Sequence, residues 1–237
     1  MAVKRETRNI FLYAAPFAAW ILLQTVLPAT AWAYAVRTVA TALMGAWCLW
    51  EGRSRSGKSA ASPNTAHLGE AALSPLRLVI GLLVGVLVTV LWIAPECSTF
   101  YRTWFCWPLG SLPASSSAPS PYEPAVCGWT LTTVKLIGSA FVIAPVEEVF
   151  FRSFLYRWLQ KRDFRAVPLS RFNLSAFLWM VFLFTLEHDR PLAAAIAGAL
   201  YGLAAIRFGL ASAIAAHVAT NLLLALYVIH QNAWAFW

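Results

Sequence analysis

The sequence predicts an all-α protein, a polytopic transmembrane helix bundle of about seven spans with its N-terminus in the cytoplasm. Three observations predict it. Of 237 residues, 60% are hydrophobic and 12% are charged, about half the charge density usual in a soluble domain. The mean hydropathy is +0.65. Apolar stretches of roughly 15 to 22 residues recur between charge clusters, the length needed to cross hydrocarbon about 30 Å thick. This composition excludes a soluble domain. An excess of 18 Lys and Arg over 10 Asp and Glu, a net +8, would point to nucleic acid in a soluble chain. Here the basic residues fall between apolar runs, so the expected partner is membrane lipid and no nucleic acid is expected.

In chain order the runs cover residues 10–27, 34–50, 78–94, 129–156, 172–187, 192–206 and 210–229. Each should be helical, because an unpaired backbone N–H or C=O in lipid is too costly and none of the runs alternates like a barrel strand. Lys4, Arg5 and Arg8 precede the first run. Arg53, Arg55, Lys58 and Arg77 flank the second loop, and Arg157, Lys161, Arg162, Arg165 and Arg171 follow the fourth run. Basic loops stay cytoplasmic. The segment 95–128 holds only Arg102 as a basic residue and is expected outside. The chain thus divides into N-terminal spans with an external Cys/Pro/Ser-rich loop (1–128) and a C-terminal transmembrane core (129–237).

Three local features leave alternatives open. The basic start, apolar run and Ala31-Trp32-Ala33 also fit a signal peptide. Cys97, Cys106 and Cys127 in the external loop could form one disulfide or remain thiols. Gly81 with Gly85, and Gly198 with Gly202, have GxxxG spacing and read as close helix packing.

Ionisable groups inside apolar spans mark candidate sites. The fourth run carries Glu147 and Glu148. Adjacent carboxylates in an apolar helix repel each other and resist ionisation, which suits one of them to general-base work. Glu148 and Arg152 lie four apart on one helical face and can pair, while Glu147 points about 100° away and stays free. Phe184 and His188 end the fifth run, and His217 and Asn221 share a face of the seventh. Lys135 has no evident partner and reads as snorkelling to the interface. By span arithmetic His188 lies on the order of 10 Å too far toward the outside to meet Glu147 and His217.

The succession EExxxR, FxxxH and HxxxN, carried by Glu147, Glu148 and Arg152, by Phe184 and His188, and by His217 and Asn221, resembles the CAAX protease and bacteriocin-processing family of intramembrane glutamic endopeptidases. The resemblance covers about residue 129 to the C-terminus. It implies that Glu147 and His188 activate a water, that His217 and Asn221 stabilise the oxyanion, and that Glu148, Arg152 and Phe184 support them, without an essential metal or other cofactor. Zinc held by Glu147, His188 and His217 is the alternative, although no HExxH occurs. Wording around the motifs, including Arg157-Trp158-Leu159, Asp163-Phe164 and Val167-Pro168-Leu169, resembles the branch found alongside exosortase and PEP-CTERM protein-sorting systems.

The expected function is therefore hydrolysis of a peptide bond, near the C-terminus of a membrane-anchored protein or peptide, by a multi-pass enzyme of the inner cell membrane. A non-proteolytic partner of a sorting or maturation complex is the alternative from another class. A proton-relay transporter is a third reading, against which the lack of an inverted repeat counts. The basic-loop asymmetry makes a direct prediction. In intact cells, an impermeant thiol reagent should label a cysteine placed at Ser117 and miss one placed at Ser170; the reverse pattern overturns the orientation.

Overall fold

The computed structural model describes residues 2–56, 74–97 and 119–237, and among these it is all-helical. Seven helices follow one another: α1 (Ala2–Val26), α2 (Ala31–Ser56), α3 (Pro75–Cys97), α4 (124–158), α5 (Leu174–Thr185), α6 (Pro191–Phe208) and α7 (Leu210–Gln231). Each expected apolar run meets one of them. Four are long and apolar enough to cross a membrane: Glu6–Val26 of α1, Pro75–Pro95 of α3, Pro191–Phe208 and Leu210–Gln231. Lys58, Arg102, Cys106 and Ser117 lie outside the described residues, as does the side chain of Cys97. Among the described residues Cys127 is an unbridged, half-buried thiol.

Thr30 ends the α1–α2 link, and its hydroxyl accepts the Ala33 N–H at 3.2 Å, which caps α2 in the manner Ser and Thr favour. From there α2 buries Tyr34, Arg37, Thr38 and Thr41, a stripe at helical spacing. The α3 helix turns its leucines and valines outward; Leu76, Leu83 and Val90 are 55–67% exposed. So much exposed aliphatic surface on one helix needs lipid to cover it. Its opposite face is small. A Cβ at Gly81 would strike the Ser212 backbone oxygen, and one at Gly85 would lie 2.7 Å from Ala219 Cβ, so α3 and α7 pack nearly backbone to backbone, as the GxxxG spacing leads one to expect.

The second pair works on α6. A Cβ at Gly198 would sit 2.9 Å from Phe184, and one at Gly202 would sit 2.7 Å from Met180 and 2.8 Å from Phe177. These absent side chains are the sockets in which α5 seats its rings. Between α6 and α7 the chain reverses at one residue, Gly209, with φ 96° and ψ 165°. Only glycine adopts that conformation freely.

One residue gains a definite structural role and one expectation is corrected. Arg157, counted with the loop charges, is 4% exposed; its guanidinium donates to the Ser153 carbonyl, the Ser153 hydroxyl and the Val167 carbonyl, clamping the segment after α4. Lys135 does not snorkel. Its ammonium lies 4.3 Å from the Tyr34 ring centre and 4.7 Å from that of Tyr122, a cation–π arrangement.

The α3–α7 contact gives a stability prediction. Gly85→Leu forces overpacking, which typically costs about 1–3 kcal/mol, and should lower the melting temperature and folded yield in detergent. Gly45→Leu, at a position with nothing within 4 Å of the added carbon, should leave both unchanged. Equal melting of the two variants would refute the tight α3–α7 seam.

Candidate active site

The site begins with how α4 is wound. Two π-helical stretches, Ser139–Ile143 and Val149–Leu155, flank a short α turn, Ala144–Glu148. Pro145 has no N–H to donate, and the Ala144 N–H reaches back five residues to the Ser139 carbonyl. Each π stretch adds a residue to its turn and re-aims the side chains around it, an arrangement common at functional sites. Here it turns both carboxylates inward. Glu148 is 0% exposed and Glu147 is 8% exposed.

One imidazole faces both. His217 Nδ1 lies 2.9 Å from Glu148 Oε1, and Nε2 lies 3.7 Å from Glu147 Oε2. With Nδ1–H donating to Glu148, Nε2 is the nitrogen free to exchange a proton. Glu148 also forms the expected (i, i+4) ion pair with Arg152, at 3.0 Å. Glu147 Oε2 and Glu148 Oε2 are both buried without a hydrogen-bond partner. Glu148 is held through Oε1 by Arg152 and His217, whereas the contact of Glu147 with His217 is the longer one.

Arg152 is held from three sides. Its Nη2 donates to the Gly198 carbonyl at 3.3 Å, and its guanidinium lies 4.5 Å from the centre of the Phe184 ring and 5.6 Å from that of Tyr201. Phe184 is the hub. Its ring is 4.5 Å from that of His188 and 6.0 Å from that of His217. His188 Nδ1 lies 2.8 Å from the Phe184 carbonyl. A carbonyl only accepts, so Nδ1 carries the proton and Nε2 is left as an acceptor. Trp92 of α3 covers His188 edge-on at 5.7 Å.

His188 lies level with the cluster, packed on the Phe184 ring that also meets Arg152 and His217, and the shortness of α5 contributes to this. That helix has 12 residues, about 18 Å at the α-helical rise, little more than half of the roughly 30 Å hydrocarbon core. Its N-terminus is set at the level of Tyr156, whose hydroxyl donates to the Arg171 carbonyl at 2.7 Å and accepts the Asn173 N–H at 3.0 Å. The helix then ends beside Arg152, and His188 sits in the following turn. The expected run of 172–187 exceeds the helix by two residues at each end.

Asn221 lies one turn beyond His217, and its Nδ2 donates to the Ser139 carbonyl of the first π stretch at 2.9 Å. One N–H of the amide is thus engaged and one remains. Three further groups belong to the site without having been singled out. Tyr201 stacks on His217 at 4.7 Å and donates to Thr220 at 2.7 Å; its place inside Gly198–Gly202 is the signal that could have found it. Trp92 was hidden in a uniformly apolar run. Glu187 sits beside His188, with Oε2 buried and without a hydrogen-bond partner, and it acts electrostatically on Glu147. Among the described residues, no three His, Cys, Asp or Glu side chains converge as a ligand group.

Residues 129–223 match the family model described as Type II CAAX prenyl endopeptidase Rce1-like. All the motif residues from Glu147 to Asn221 fall within it, so the resemblance read from the motifs is shown for this stretch. No curated protein and no solved structure matches the chain.

Arg152 supplies the structural prediction of this site. Arg152→Ala strands Glu148 in low dielectric, and removing one partner of a buried pair costs roughly 3–5 kcal/mol, so the folded yield should fall sharply. Arg152→Lys should recover little, because a point charge cannot reach both Glu148 and the Gly198 carbonyl as a guanidinium fork does. Wild-type melting of Arg152→Ala would show that the pair is dispensable.

Proposed function

We propose that the chain is an intramembrane endopeptidase that hydrolyses a peptide bond near the C-terminus of a membrane-anchored protein or peptide, using a water activated by Glu147 and His188. The match over residues 129–223 to a CAAX protease family supports a peptidase. The observation that carries the reading is the buried, unpartnered Glu147 carboxylate oxygen beside the His217 imidazole, inside an apolar bundle. A scaffold gains nothing from burying such a group.

Glu147 accepts the proton of a water while the water oxygen attacks the scissile carbonyl carbon, and His188 Nε2 orients that water. Charge develops on the carbonyl oxygen. Protonated His217 Nε2–H and the remaining Asn221 N–H donate to it, and such donors act in the transition state, where a dry site makes them strong. The C–N bond breaks as Glu147 returns its proton to the leaving amine. Glu148 and Arg152 hold His217 in place, and Phe184 holds Arg152 and His188 relative to each other. The reaction needs no metal or other cofactor in this reading.

The enzyme would be a seven-span, multi-pass protein of the inner cell membrane that contributes to protein sorting or maturation. Its partners would be lipid, the substrate and a sorting system of the exosortase kind.

The test is cleavage of membrane-anchored tails by quantified, folded protein in one lipid. Glu147→Gln keeps the shape but cannot take the proton, and loss of a general base lowers the rate about 10²- to 10⁴-fold. Asn221→Ala should lower kcat more than KM. A strong chelator should leave activity intact; complete, zinc-reversible inhibition would replace the water-activating pair with a metal. Full activity of folded Glu147→Gln would remove Glu147 as the base.

A further inference from the structure

A second group of charges lies on the same helix as Glu147, three turns nearer the N-terminal end of α4, and the catalytic scheme does not use it. Arg37 of α2 is 5% exposed, although it stands in the middle of an apolar run. Its guanidinium lies 5.1 Å from the centre of the Trp20 ring and 5.7 Å from that of Tyr34. Lys135 presents its ammonium to the same Tyr34 ring at 4.3 Å and to Tyr122 at 4.7 Å. Two cations therefore share one aromatic wall, close enough to repel each other.

Neither forms an ion pair with a carboxylate among the described residues. Arg37 Nε is buried without a hydrogen-bond partner. Ring quadrupoles offset part of the cost of burying a cation, but two like charges in low dielectric still call for an anion. Glu147 and Asp189 reach Lys135 only through longer-range electrostatics, and Glu147 is already the base of the proposed reaction. Lys135 and Glu147 are 12 residues apart, about 18 Å of helix before either side chain extends. An extended peptide covers such a distance in a few residues, at about 3.3 Å each.

We infer that Arg37 and Lys135 form an anion subsite that takes the free C-terminal carboxylate of the substrate, with Trp20, Tyr34 and Tyr122 as its walls. This rests on the peptidase reading and deepens it. The subsite makes the enzyme select chain ends: a carboxylate seated between the two cations fixes which bond, a few residues upstream, reaches Glu147. A guanidinium offers the planar fork that a carboxylate matches, and the ammonium adds a point charge beside it.

Binding is measured on the folded Glu147→Gln protein in zwitterionic nanodiscs, with a fluorescent peptide carrying an apolar anchored stem. One form of the peptide ends in a free carboxylate and the other in an amide. The free acid should bind at least about tenfold tighter, since a charge-assisted contact is lost on amidation. Adding Lys135→Met or Arg37→Gln should reduce that ratio to within about twofold, and Lys135→Arg should restore it. A merely structural pair would change the affinity for both peptides alike and leave the ratio unmoved. Equal affinity of acid and amide, no binding of either, or an unchanged ratio in Lys135→Met overturns the subsite. Phosphatidylglycerol nanodiscs form a second arm; if anionic lipid abolishes the preference for the acid, the cations serve a lipid phosphate and the substrate assignment is overturned. Cleavage by the unsubstituted enzyme is read separately, so the peptidase reading and the subsite fail on different measurements.

Discussion

Burying the Glu148 carboxylate at 0% exposure obliges the surrounding structure to neutralise it, and the organisation of the C-terminal half follows from how that is done. Arg152 supplies the charge and His217 supplies a donor, from two different helices. Arg152 then has to be satisfied in turn, which brings in the Gly198 carbonyl of α6 and the Phe184 ring of α5. His217 has to be oriented, which brings in Tyr201 and, through its hydroxyl, Thr220. Four helices are thereby tied to one ion pair. Such a network is costly if any member is missing, so its members report on one another. Glu147 differs from Glu148 in having no arginine partner among the described residues, its ion contact being His217 Nε2 at 3.7 Å.

What could be read from the sequence was whatever helix geometry makes local. Glu148 and Arg152, four residues apart, pair because the α-helix stacks those positions. The two GxxxG pairs announce close approach for the same reason, although not which neighbours fill the sockets. The motif order pointed to Glu147, His188, His217 and Asn221 as candidates. Groups whose partners are remote in sequence were not legible in this way. Lys135 looked partnerless because the Tyr34 ring beneath it lies 101 residues away. Arg37 was lost in the hydropathy of its run, and Trp92 in that of α3. The end of α5 was also invisible, since hydropathy does not fall until Glu187 although the helix stops at Thr185.

The π stretches of α4 show why carboxylate spacing alone did not settle the geometry. On a regular helix Glu147 and Glu148 diverge by about 100°. With π turns on both sides and Pro145 between them, the same imidazole meets both. Asn221 holds the Ser139 carbonyl of the first π stretch, so α7 both presents His217 and braces the irregular winding that lets His217 reach two carboxylates.

The shortness of α5 has a consequence for how this chain can vary. His188 is placed on the Phe184 ring by the number of residues between the Asn173 cap and the turn after Thr185, not by any contact along the outward face of α5, where Leu178, Trp179 and Phe182 are exposed. Those side chains can be exchanged for other apolar ones with little effect. Inserting or deleting one residue shifts the turn by about 1.5 Å and rotates it by about 100°. Phe184 would then leave the Gly198 socket, and His188 would leave its place beside Phe184. The segment acts as a spacer: its composition is loosely constrained, and its residue count is fixed.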